Sequence, residues 1–470
     1  MATTLSRRQF LATTAAVGAS TLLPATATAG TNQPHGSGPR WDRFLILIEL
    51  DGGNDGLNTV IPYDVAEYKG TGSVPSRRPN LKYGFSQLSA TYLGTAPYAT
   101  ANSAVSTTQP FALHPSMTHL MSAWNPSNLD THDLAIVLGV GYTNPNLSHF
   151  RSMDIWNGGC DPNAFPANNW LGRLFAQPSV ASTKPADLTA HGVLLSRYSS
   201  NPLRNAGVGY LAMSKPDEFV KRSLAMDDVV PGGASPHLQH LLTTWHEVHS
   251  ASGSFRDSLM TLKVGASPGS RSGVDYNYTP AAMTSAGITF NPDNDFELRC
   301  QSIAEIIATN RAAVTDALKL KIPVYKVQIG GFDNHSSQKA KHAELLAQVS
   351  SAMASLRAAL KLHGLWERAL IMTYSEFGRR VEENGSAGTD HGSANCQFLM
   401  GGGIKGGFYG AQPGLWRQSW NSQTDDLDDR GNLKATVDFR NLYATAATWL
   451  GLPYASDPYM GSATPLACFA

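Results

Sequence analysis

Residues Phe44–Leu50 read Phe-Leu-Ile-Leu-Ile-Glu-Leu, an apolar run broken by a single acid. A strand with one wet face alternates apolar and polar residues. A run this continuous is buried on both faces, as in the middle of a parallel sheet covered by helices. Similar runs recur at Leu134–Val140, Val324–Ile329, Leu370–Tyr374 and Gln397–Met400. Helical patterns occupy intervals between and after them: Met117–Trp124, a start at Arg151–Trp156, Asp295 to about Leu320, about Ser337 to Leu362, and residues 436–451. Strand and helix alternating through short connections predict an α/β fold with a mostly parallel central sheet between helices.

Glycine-rich polar clusters follow these runs. They are Asp51-Gly-Gly-Asn-Asp-Gly-Leu-Asn58, Gly141-Tyr-Thr-Asn-Pro-Asn-Leu-Ser-His-Phe150, Gly330-Gly-Phe-Asp-Asn-His335 and Ser375-Glu-Phe-Gly378, with Gly388-Thr-Asp-His-Gly392 a little beyond. Open α/β sheets bind ligands outside the carboxyl ends of their strands, so the clusters are expected to converge on one site. Asp333 and His335 are alternate residues of an extended segment and point the same way. Taken singly, each cluster has a plainer reading: turn caps, surface polarity, or for Glu376 a helix cap paired with Arg379 or Arg380. Repetition after at least three strands is what favours a metal or a phosphate-like anion. Imidazole with carboxylate suits zinc, manganese or iron better than calcium. Thr143, Ser148 and His149 lie at a strand-to-helix turn, where a hydroxyl is exposed beside a helix N-terminus. A serine-hydrolase reading needs a Gly-x-Ser-x-Gly elbow, and none stands at a suitable place. A nicotinamide reading needs Gly-x-Gly-x-x-Gly, which Gly52-Gly-Asn-Asp-Gly56 does not match.

Ser6-Arg-Arg-Gln-Phe-Leu11 matches a twin-arginine export signal, and Ala25-Thr-Ala-Thr-Ala29 predicts cleavage after Ala29. The apolar run between them is too short and too rich in Ala, Thr and Gly to serve as a span of about 20 apolar residues. The division expected is a signal peptide at 1–29, a flexible leader at 30–41, one domain at 42–452 and a C-terminal tail at 453–470. Within the domain, residues from about 160 to 290 lack regular alternation and read as an insertion or cap, with a helical stretch near Pro236–Lys263. The destination is periplasmic or secreted, with the twin-arginine translocase as partner during export and no membrane anchor after cleavage. The 36 basic residues balance 36 acidic ones, which leaves no basic surplus for nucleic acid. Four widely spaced cysteines, Cys160, Cys300, Cys396 and Cys468, lack metal-finger spacing and allow up to two disulfides in an oxidising compartment. A bridge at Cys396 would brace His391.

Leu50–Val60, Ser148-His-Phe150, Asn169-Trp-Leu-Gly-Arg173, Gly330–His335, Ser375–Arg379 and Gly388–Gly392 together resemble the bacterial domain-of-unknown-function family numbered 1501, from about residue 42 to 452. Members of that family carry twin-arginine signals. The family in turn resembles the alkaline phosphatase and sulfatase superfamily. This implies an alkaline-phosphatase-like fold, one or two divalent ions, commonly zinc, and a Ser, Thr or modified Cys nucleophile. On that resemblance Asp51, Asp333, His335, Glu376 and His391 hold metal and Ser148 or Thr143 attacks. His149, Arg151 and Asn54 lie near the transferred group, and Asp390 supports His391. Phe377 stands where the superfamily has a metal-binding histidine, and the sulfatase Cys-x-Pro-x-Arg is absent. Two functions are therefore expected in competition. One is an exported metal-dependent hydrolase of phosphate or sulfate esters, on small molecules or polymers. The other, favoured by Phe377, is a non-catalytic envelope binding or assembly protein with a degraded site.

Overall fold

A computed structural model describes residues 38–95, 109–124, 133–196 apart from 187 and 189, 200–213, 281–312, 322–416 and 427–469. In chain order the strands are β1 (Phe44–Leu50), β2 (Val60–Ile61), β3 (Tyr92–Thr95), β4 (Pro110–Leu113), β5 (Leu134–Gly141), β6 (Gly192–Leu195) and β7 (Tyr210–Met213). They continue with β8 (Val324–Ile329), β9 (Ala369–Tyr374), β10 (Arg379–Glu383), β11 (Thr389–His391), β12 (Asn395–Met400), β13 (Gly407–Gly410) and β14 (Val437–Asp438). The central sheet runs β13-β5-β12-β9-β1-β8-β6-β7, with β14 beside β5. All its pairings are parallel except those of β12, which is antiparallel to β5 and β9. The fold is thus α/β with a mostly parallel sheet, as the apolar runs require.

Alternate residues of β1 feed two cores. Phe44, Ile46, Ile48 and Leu50 enter one, under helices α2 (Asp295–Ala312) and α3 (Gln338–Leu362). Leu45 and Leu47 enter the other, under α1 (His149–Gly158) and α4 (Phe439–Leu450). Burial on both faces explains why no polar alternation is visible in the run. The one acid, Glu49, is fully buried and pairs with buried Lys326 of β8 at 2.5 Å. The Tyr374 hydroxyl and the Gln328 amide donate to the same carboxylate, at 2.7 and 3.0 Å, so its lone pairs are met and the charge is tolerated.

The structure departs from sequence expectation in several places. Residues 192–195 and 210–213, inside the stretch read as an insertion, are strands of the central sheet. The helix expected near Pro236–Lys263, the signal and most of the leader lie outside the described residues. At Met117–Trp124 the chain forms a 3-10 helix over Thr118–Ala123 instead of an α-helix. The tail joins the fold, with Phe469 stacked on Trp449 and Lys405 N–H donating to the Cys468 carbonyl. All four cysteines are buried free thiols. The expected disulfides, including one at Cys396, are absent; the Cys396 thiol instead faces the Gly56 carbonyl and burial pushes it up to about 12.

Three buried histidines make the fold acid-sensitive. Desolvation holds His114 down at about 3 and His191 and His342 at about 4. An unfolded imidazole titrates near 6.5, so below that pH the unfolded chain binds protons the native one refuses, and stability falls as pH drops from 6.5 toward 4. At about 1.4 kcal/mol per pH unit, each histidine costs on the order of 2 kcal/mol at pH 5. Denaturant melts at pH 7 and pH 5 are expected to differ by several kcal/mol; equal midpoints would contradict this account.

Candidate metal centre

The carboxyl ends of parallel neighbours β9, β1 and β8 deliver three of the predicted clusters to one place. Leu50 pairs with Ile329 and Glu49 with Tyr374, so Asp51, Gly330 and Ser375 leave the sheet side by side. β5 ends nearby and leads into α1, whose first residue is His149. A two-stranded hairpin, β10–β11, brings Arg379 opposite His391.

Asp333 is the hub. Its Oδ1 lies 2.7 Å from Arg379 Nη2, 2.9 Å from His335 Nε2 and 3.1 Å from His391 Nε2. Its Oδ2 lies 3.5 Å from His149 Nε2. The Nε2 atoms of His335 and His391 are 3.0 Å apart. Among the described residues, His149, Asp333 and His391 form a group whose ligand atoms all lie within 4.8 Å of one another. Burial opposes the Asp333 charge, but the hydrogen bond and charge of Arg379, with the His391 and His335 imidazoles alongside, outweigh it and hold the carboxyl at about 2.

The partners of the other ring nitrogens fix where the protons sit. His391 Nδ1 faces the Leu147 carbonyl at 2.8 Å, an acceptor, so Nδ1 carries the proton. His149 Nδ1 faces Glu376 Oε1 at 2.9 Å, with the same result. In the neutral imidazoles both Nε2 atoms then turn lone pairs toward a carboxylate. Such a set is mutually repulsive until a cation lies among its members, and imidazoles held through Nδ1–H by a carbonyl or a carboxylate are the usual arrangement behind a bound metal. Protonation answers the conflict less well at His391, where desolvation lowers the pKa. At His149 the Glu376 hydrogen bond raises it. The donor set fits a divalent ion of the imidazole-preferring kind.

Several predicted residues take other places. Glu376 is fully buried behind His149, accepting from Gly52 N–H at 2.8 Å, and lies outside the compact group. It stands one hydrogen bond behind His149. Asn54 is buried; its side chain accepts from Thr59 and His342, and its N–H donates to Ser375, the neighbour of Glu376. Arg151 donates to the Pro162 and Ala164 carbonyls and stacks on Phe165. Asp390 stands 3.8 Å from His335 Nδ1, so His335 is its histidine neighbour; His391 is held by Leu147. Asp51 ends β1 beside the cluster, where burial first, then the charges of Glu376 and Glu49, raises it to about 6. Ser148 is exposed at the N-cap of α1, next to His149, and Thr143 is exposed earlier in the same loop. Phe377 packs on both imidazoles, with ring centroids 4.9 Å from His149 and 4.5 Å from His391.

Arg379 is the functional residue that sequence reasoning missed. It is buried, and besides Asp333 it donates to the carbonyls of Gly52, Gly53, Phe332 and Thr389. Its place two residues after Phe377, closing the Ser375–Arg379 cluster, is the signal that marks it.

Residues 4–24 match the twin-arginine translocation signal, so the protein is exported across the membrane by that pathway. No helix among the described residues is long and apolar enough to cross a membrane. No curated protein sequence matches the chain. Solved structures that resemble it include the PsFucS1 sulfatase from Pseudoalteromonas sp., 13% identical over 87% of this chain and 68% of that one, with a TM-score of 0.33. The lipoteichoic acid synthase LtaP from Listeria monocytogenes is 8% identical over 86% and 74%, TM-score 0.28. The phosphonate monoester hydrolase of Agrobacterium radiobacter is 11% identical over 87% and 74%, TM-score 0.28. The family described as protein of unknown function (DUF1501) matches residues 42–454, which include the whole cluster, and the chain belongs to that family.

Proposed function

We propose that this exported protein is a metal-dependent hydrolase of phosphate or sulfate esters, with His149, Asp333 and His391 holding a divalent ion, zinc as first choice, and His335 beside them. The observation that carries the reading is the convergence of His149, Asp333 and His391, whose ligand atoms all lie within 4.8 Å of one another. A bound ion of this kind polarises ester oxygens and lowers the pKa of an attacking group. The chain's own residues prepare the place. Glu376 keeps the proton of His149 on Nδ1, Leu147 does the same for His391, and Arg379 fixes the Asp333 carboxylate. Ser148, exposed beside His149, is the hydroxyl proposed to attack, with Thr143 as its alternative.

Purified mature protein is expected to hold about one equivalent of divalent metal after reconstitution. His391→Ala removes a ligand and should abolish stoichiometric binding, whereas Glu376→Gln removes a support and should weaken affinity by about 10–100-fold. Elemental analysis with a competing chelator measures both, and a screen of aryl phosphate and sulfate esters follows. Wild type without stoichiometric metal, before and after reconstitution, would sink the reading. Phe377 supports the second reading, a non-catalytic envelope binding or assembly protein, because its ring occupies the space against both imidazoles. Full metal loading with no ester cleaved would transfer the conclusion to that function.

A further inference from the structure

A cavity of about 340 Å³ opens beside the cluster, between the carboxyl ends of β1 and β8 and the helices α2 and α3. Asp51 lines it from the sheet side. The next residue, Gly52, donates its N–H to Glu376, the carboxylate behind His149, so cavity and cluster share one loop. The remaining polar wall is Asn294, Asp295 and Arg299 from the start of α2, Gln328 from β8 and Gln348 from α3. Gln328 and Arg299, 6% and 7% exposed, form the inner wall, and Asp295, its side chain 41% exposed, stands at the rim. Arg299 donates to the Gln328 carbonyl at 3.4 Å and pairs with Asp295 at 3.6 Å.

The chemistry of this wall differs from that of the cluster. Two carboxylates stand against one guanidinium, a balance that turns an anionic group away. The Gln328 amide is turned to Glu49 and Asn294 Oδ1 caps α2, so the donors and acceptors toward the cavity come from Gln348, the Asn294 amide nitrogen, the two carboxylates and Arg299, a mixture that hydroxyl groups satisfy, since each hydroxyl both donates and accepts. Phe296 and Ile329, each 4% exposed, bound the cavity on its core side. The volume lies at the low end of ligand pockets, which run from about 300 to 1,000 Å³, and suits one small ring.

We propose that this cavity binds a neutral, polyhydroxylated, monosaccharide-sized group, the alcohol side of the ester whose anionic side lies at the cluster. Only the assignment of that group as part of the substrate rests on the hydrolase reading. Binding of the sugar itself needs no metal.

The test uses the mature protein, with and without chelator, and saturation-transfer NMR with D-glucose, D-galactose, D-mannose and D-xylose. At least one sugar is expected to receive saturation, equally in both metal states. Gln348→Trp fills the cavity from α3 and should remove the signal without changing metal content or melting temperature. Gln348→Ala, which cannot block the cavity, should weaken binding by up to roughly tenfold through the lost hydrogen bond. If the tryptophan variant fails to fold, the alanine variant carries the test. No transfer to any of the four sugars, or transfer unchanged in every folded variant, overturns the proposal while leaving metal content to judge the hydrolase reading separately. Sugar binding in a protein that never takes up metal would do the reverse: the cavity stands and the hydrolase falls.

Discussion

Arg379→Met is expected to cost about 4 kcal/mol of stability, from four backbone carbonyls that each lose a hydrogen bond worth roughly 1 kcal/mol. The guanidinium is 1% exposed and ties the Gly52–Gly53 turn, the Phe332–Asp333 loop and Thr389 of β11 together. Its pairing with Asp333 adds less than a buried ion pair would, because that carboxylate is 45% exposed and water screens it. The functional loss should be larger than the stability loss. Without Arg379, Asp333 keeps only histidines as neighbours, and its position among them is no longer fixed from behind. Denaturant melts and chelator competition on the same preparation separate the two effects. Arg379→Lys restores charge but cannot span the same carbonyls, so it should recover little. A methionine variant with wild-type stability and metal affinity would show that the guanidinium is dispensable.

Gly52→Ala should be nearly as damaging, for a steric reason. Gly52 has φ of +117°, and a Cβ there would lie 2.3 Å from the Asp333 nitrogen and 2.9 Å from the Phe332 carbonyl carbon. Neither is the end of a flexible side chain, so the whole 332–335 loop has to move, and with it the hub of the cluster. Left-handed strain and overpacking each cost about 1–3 kcal/mol, and here both apply. Gly331→Ala is the matched control. Its φ is +102°, but the added Cβ would meet only the Leu345 methyls, at 3.5 and 3.6 Å. That variant should bear the backbone term alone and keep its metal affinity. If the two variants lose metal equally, close approach of the backbones is not what positions Asp333.

The parts of this protein that could be read in the chain are those set by local pattern. β1, β5, β8 and β9 announce themselves because burial on both faces demands predominantly apolar runs, and the glycine-rich clusters after them mark the working end of the sheet. β6 and β7 are four residues each, too short for a run to stand out, so the sheet extends further than expected. The roles inside the site were less legible. Glu376, Asp51 and Asp333 are all acids after strands, and sequence gives no means to tell the hub from the support. That distinction arises from side-chain direction at the ends of neighbouring strands and from which nitrogen of each histidine meets a carbonyl or carboxylate. Arg379 was placed with Glu376 because the two are near in sequence. The hairpin turns it instead toward a loop from β8, a contact across 46 residues.

The four free thiols have a consequence for where this fold is made. Twin-arginine export moves proteins already folded, and a chain with no cross-link to form has no disulfide left to complete on the far side. No cross-link waits for an oxidising compartment, so dithiothreitol should leave the melting temperature unchanged, and material drawn from cytosol before export should match exported material in fold.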